Sequence, residues 1–120
     1  MFKMMQGVAA LALFAVSACG ASVPAARMAT AQAAIRAADE VGAAQHPTAA
    51  LHLQYAREQY TQAETLSRNG DGERAQMVLA RAEADAELAL ALARTSGSRS
   101  EAREAVEQVR SMQKSARSAQ

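Results

Sequence analysis

Tryptophan is absent from this 120-residue sequence, phenylalanine, tyrosine and proline occur twice each, and there is one cysteine. A single cysteine has no partner for an intrachain disulfide, and it cannot supply the paired thiolates of a cysteine zinc site. With aromatics at 3%, few bulky side chains are left to build a deep core or line a large pocket. Charge of one sign is missing too: 13 basic and 12 acidic side chains give a net +1, and without residues 1–18, hence without Lys3, the two balance. No basic excess supports nucleic-acid binding. Nor is there a long hydrophobic run. The uncharged stretch Gly7 to Ala18, GVAALALFAVSA, would cover roughly 18 Å as a helix, short of a hydrocarbon core of roughly 30 Å.

What is abundant is alanine, the strongest helix former but a poor contributor of apolar area. Its spacing is informative. Met28, Ala31, Ile35, Ala38 and Gly42 recur by three and four and predict a helix from Pro24 to Ala44. Gly42 and the stretch Gln45-His46-Pro47 should end it, because the residue before a proline avoids helical angles. Pro47 then suits the first position of a second helix, whose seam is Ala49, Leu53, Ala56, Tyr60, Ala63 and Ser67. Gly70 is placed to cap that helix in a left-handed conformation and Asp71 to cap the next. The third seam is Ala75, Leu79, Ala82, Ala86, Ala89 and Ala93. Two such seams joined by so short a turn predict an antiparallel helical hairpin with a core at 47–94. Thr95-Ser96-Gly97-Ser98 interrupts the pattern, and the stripe Ala102, Ala105, Val109, Met112, Ala116 beyond it is out of phase with the last seam. A kink or short break at Gly97 is expected, with Ser98 and Glu101 as a capping box. A final helix at about 99–117 would fray from Ser115 onward. The expected fold is all-α: a helical hairpin or small three- to four-helix bundle, coiled-coil-like.

The N-terminus has the layout of an export signal: a basic start at Lys3, an apolar segment, then small residues. Val16-Ser17-Ala18-Cys19 resembles the lipobox of bacterial lipoproteins. That resemblance implies a diacylglyceryl group on the Cys19 thiol, peptidase recognition of Val16, Ser17 and Ala18, cleavage ahead of Cys19, and further acylation of the new amino group. Several acyl chains hold a membrane stably where one binds only marginally. It divides the chain into a signal peptide at 1–18, a lipidated cysteine and tether at 19–26, and a helical domain at 27–120. Gly20, where an inner-membrane retention signal would carry aspartate, favours sorting to the outer membrane. The competing reading is an ordinary cleaved signal that leaves a free thiol.

The stretch Pro47 to Arg94, through Pro47, Leu53, Ala56, Ala63, Gly70, Ala75, Leu79, Ala82, Asp85, Ala86 and Ala89, resembles the bacterial envelope family catalogued as domain of unknown function 4398. The resemblance implies a lipoprotein near the outer membrane or peptidoglycan, and supplies no catalytic residue.

Other candidates weigh less. His46 and His52 are six apart across Pro47, without the i, i+4 spacing of a helical zinc pair, so no metal site is expected. Glu83, Asp85 and Glu87 lack a calcium loop and read as a solvated face. Tyr60 lies on the seam; Tyr55 is the candidate partner contact, tyrosine being enriched at binding hot spots. Asn69-Gly70-Asp71-Gly72 lacks the strand and lysine of a phosphate loop and reads as a turn. The stretch from Gly70 to Ala84 resembles one tetratricopeptide-like hairpin, without the stacked repeats that make a binding surface.

Together these observations lead to a non-enzymatic, membrane-anchored envelope lipoprotein. It needs no cofactor beyond its covalent lipid, and its helical faces would meet an envelope or peptidoglycan-associated partner, or a second copy. The alternatives are a coiled-coil spacer resembling murein lipoprotein, and a periplasmic enzyme or ligand carrier. Against the spacer stand the C-terminal Gln120, where that family carries a lysine, and the breaks expected at Gly42, Pro47, Gly70 and Gly97. The enzyme or carrier lacks paired catalytic groups and cavity-lining bulk.

Overall fold

The structure, a computed structural model, describes residues 22–119. The expected positions Val16, Ser17, Ala18, Cys19 and Gly20 lie outside the described residues. Among the described residues three α-helices follow in order: α1 at Ala25–Glu40, α2 at Pro47–Arg68 and α3 at Gly72–Ser118, with a 3₁₀ turn at Ala43–Gln45 between the first two. No strand occurs among the described residues. The fold is the expected all-α one, a hairpin of α2 and α3 with α1 packed against it.

Local sequence explains the boundaries. Gly42, at φ 77°, takes the left-handed conformation that ends α1, and Pro47 opens α2 at a position where its missing N–H costs nothing. At the hairpin turn Gly70 has φ 81°. Its N–H reaches the Ser67 carbonyl at 3.1 Å, and the Asp71 N–H reaches the Leu66 carbonyl at 2.9 Å. These two bonds form a Schellman cap and satisfy carbonyls that α2 would otherwise leave open. Asp71 then caps α3, its Oδ1 accepting from the Arg74 N–H at 3.4 Å.

The seams are buried as spaced. Ala49, Leu53, Ala56 and Ala63 of α2 face Ala75, Leu79, Ala82, Ala86, Ala89 and Ala93 of α3, and α1 adds Ala31, Ile35 and Ala38. Among the described residues only Leu53 and Leu79 are large and fully enclosed, each contributing about 1.5–3 kcal/mol. Elsewhere, alanine lets the backbones approach closely, so cohesion comes from contact along whole helices rather than from bulky anchors. Tyr60 is half-buried and packs against both core clusters.

Two expectations are corrected. The tether foreseen at 19–26 is shorter: Val23 is 8% exposed, packs in a cluster with Ala31, Ala63, Ala75 and Leu79, and donates its N–H to Ser67 Oγ at 3.4 Å, and α1 begins at Ala25. The chain does not break at Gly97 either. α3 runs unbroken from Gly72 to Ser118, so the Ser98 and Glu101 capping box does not form and the helix extends past Ser115. The two stripes of α3 lie on different faces of one helix, so neither phase needs a break. At about 100° per residue, Val109 sits roughly 160° around the axis from Ala93. From residue 98 to 119 every side chain is exposed, and the end of α3 projects beyond the bundle by roughly 30 Å.

Candidate functional site

The polar residues singled out in the sequence act mainly as ties between helices. Asp85, expected on a solvated face, is half-buried between α2 and α3. His52 Nδ1 donates to its Oδ1 at 2.8 Å and Gln59 Nε2 to its Oδ2 at 2.8 Å. Glu83 points to α1 instead, its Oε2 3.5 Å from Arg27 Nη2 with the Glu83 side chain 18% exposed. Only Glu87 of that acidic group is exposed. The reason is helical geometry: residues two apart differ by roughly 200°, so Glu83 and Asp85 meet different neighbours. A third tie joins α1 to α2, where Arg57 Nη2 donates to both oxygens of Asp39 at 2.6 Å. Each helix pair therefore has its own charged or polar clasp.

The ties are incomplete, since Gln59 Oε1 and Glu83 Oε1 are buried without a hydrogen-bond partner. Such atoms cost about 1–3 kcal/mol each where water cannot reach them. His46 is the N-cap residue of α2 and makes no capping bond with its side chain. His46 and His52 do not converge, and among the described residues no three His, Cys, Asp or Glu side chains form a group able to hold a metal ion. Tyr55 is 42% exposed; its ring stands edge-on to His52, centroids 6.1 Å apart at 87°, which fixes it on the outer side of the His52–Asp85 tie.

The larger unclaimed surface is on α3. Its projecting end carries exposed Val106, Val109 and Met112. Shallow open depressions lie there, one of about 320 Å³ lined by Ala102, Arg103, Val106, Glu107 and Arg110. These are grooves along one helix rather than enclosed cavities. No helix among the described residues is long and apolar enough to cross a membrane.

Residues 26–105 of the 120 match the family described as Domain of unknown function (DUF4398). The chain belongs to this family. In structural terms the DUF4398 match takes in almost all of α1, the whole hairpin and the part of α3 up to residue 105. It thus extends beyond the stretch on which the resemblance rested, at both ends. No curated protein and no solved structure matches the chain.

Sequence reasoning missed the His52–Asp85–Gln59 tie. The signal was present: each of the three immediately precedes a seam residue, Leu53, Tyr60 or Ala86, on the flank where antiparallel helices place facing side chains.

Proposed function

We propose that this DUF4398 protein is a bacterial envelope lipoprotein held to a membrane by lipid on Cys19. Its helical domain would face the periplasm near the outer membrane or peptidoglycan, in a structural or protein-interaction role without catalysis. The observation that carries the reading is the spacing between Val16-Ser17-Ala18-Cys19 and the first docked residue, Val23. Four residues extended span at most about 14 Å. A lipidated Cys19 would therefore hold the base of the bundle close against the membrane surface, with the hairpin turn at that same end, since Val23 packs beside Ala63, Ala75 and Leu79. The projecting end of α3 would then point away from the anchor.

The polar residues are accounted for in the same reading. His52, Asp85, Gln59, Glu83, Arg27, Asp39 and Arg57 are engaged in holding three helices together, which fits a scaffold offering helical faces, including exposed Tyr55, to partners. The test is metabolic labelling with radioactive palmitate. Label on the wild-type chain that disappears in Cys19→Ser is the expected result; an unlabelled wild type, or label retained by Cys19→Ser, refutes the anchor.

A further inference from the structure

All the large hydrophobic side chains that α3 leaves exposed are on one face. Met77, Leu88, Val106, Val109 and Met112 are 42–57% exposed and lie within roughly 60° of Val109 around the axis. The bundle occupies the opposite side, through Ala82, Ala86, Ala89 and Ala93. Leu88, Ala91, Thr95 and Ser98 lead by steps of three and four into the stripe that starts at Ala102. The outer face of α3 is therefore a second heptad seam, from Met77 to Ala119, that passes Gly97 without interruption and carries one charged residue, Arg81, at its core positions. It is roughly 60 Å long, and at the width of one helix it would cover on the order of 600 Å² per copy. About 1,200 Å² in total is the lower end of what a specific, stable interface buries.

We propose that this outer seam pairs with the same seam of a second copy of the chain, in antiparallel orientation. Charge decides the orientation. Arg94 and Glu101 both sit immediately before a core position of the outer seam, and Arg99 sits immediately after one, on the other flank. A parallel pair sets Arg94 of each copy against Arg99 of the other, like charges at both edges. An antiparallel pair centred between residues 96 and 97 sets Arg94 against Glu101 of the second copy, twice by symmetry. The same register matches size: Leu88 faces Ala105, Ala84 faces Val109, and Met77 faces Ala116. Leu88, Val109 and Met77 thus meet alanine, as close antiparallel packing requires, while Met112 faces Arg81, whose apolar stem covers it with the charge turned to water. The small polar pair Thr95 and Ser98 falls at the centre. Because the bundle lies on the far side of α3, neither copy's α1 or α2 obstructs the other. The pairing also supplies what the projecting end of α3 lacks, since in water helices are held mainly by packing of an apolar face.

The proposal goes beyond the lipoprotein reading and does not depend on lipid at Cys19. It is tested on the full chain by sedimentation equilibrium with detergent micelles in large excess, so that co-occupancy of a micelle is rare. A dimer is expected, weakened at least tenfold by Leu88→Asp combined with Val109→Asp. Circular dichroism should retain the wild-type helical signal of the bundle, because both side chains are exposed. Arg94→Glu and Glu101→Arg should each weaken the dimer about tenfold, and the two together should restore it. A monomer at all concentrations overturns the proposal. So does a dimer indifferent to the aspartate pair, or one that Arg94→Glu tightens, as a parallel pair with Arg99 would be. None of these outcomes depends on palmitate labelling, so the two tests fail separately.

Discussion

Replacing Asp85 with alanine removes the acceptor of two inter-helix hydrogen bonds at once, from His52 Nδ1 and Gln59 Nε2, each 2.8 Å long. Hydrogen bonds to a carboxylate contribute about 1.5–3 kcal/mol each when buried. The Asp85 side chain is 22% exposed and His52 25%, so water can partly replace the lost partner and the sum falls to roughly half. Alanine also returns a few tenths of a kcal/mol in helix propensity. The net loss is then roughly 1–2.5 kcal/mol, which lowers the melting temperature by about 4–20 °C in a domain of this size. Thermal and urea unfolding of the full chain, followed by circular dichroism, measures it, with Glu87→Ala as control because Glu87 is exposed. The control should stay within about 0.5 kcal/mol of wild type. A double-mutant cycle with His52→Ala should give a coupling of about 0.5–1.5 kcal/mol. Indistinguishable unfolding of Asp85→Ala and Glu87→Ala would refute the tie and return Asp85 to the solvated face.

Three further outcomes follow from the geometry. Leu79→Ala should cost about 2–5 kcal/mol, because Leu79 is one of two large side chains fully enclosed in the bundle, whereas Leu51→Ala, at a side chain 44% exposed, should cost under about 1 kcal/mol in the same urea titration. Gly70→Ala should cost about 1–2 kcal/mol by calorimetry from conformation alone, since its φ is 81° and a Cβ there would meet nothing within 4 Å. Gly97→Ala should raise the helical signal at 222 nm and favour the helix by about 1 kcal/mol locally, because Gly97 lies inside α3 with open space around it. A fall in helicity would restore the break.

Much of this architecture is written in the spacing of alanine. The inner seams of α2 and α3, the left-handed cap at Gly70 and the cap at Asp71 all follow from local rules that tertiary structure does not override. Gly97 was misleading for a physical reason. A change of phase in an apolar pattern reads as a break when one helix is assumed to have one buried face, and α3 has two faces of different use. Asp85 was hidden in a similar way, because three acids at alternate positions look like one patch in a linear sequence and point to different neighbours on a helix. Val23 gave no warning, as one valine ahead of a proline carries no periodicity that could mark it as docked. The candidate attachment residue, Cys19, was legible only through its neighbours Val16, Ser17 and Ala18.

The most direct measurement is therefore the mass of the N-terminal peptide of the full chain extracted from membranes. An attached envelope lipoprotein yields a peptide that begins at Cys19 and carries the added mass of a diacylglyceryl group. A peptide beginning after Ala21, or one beginning at Cys19 with an unmodified thiol, would contradict the anchor and with it the proposed place of the bundle against the membrane.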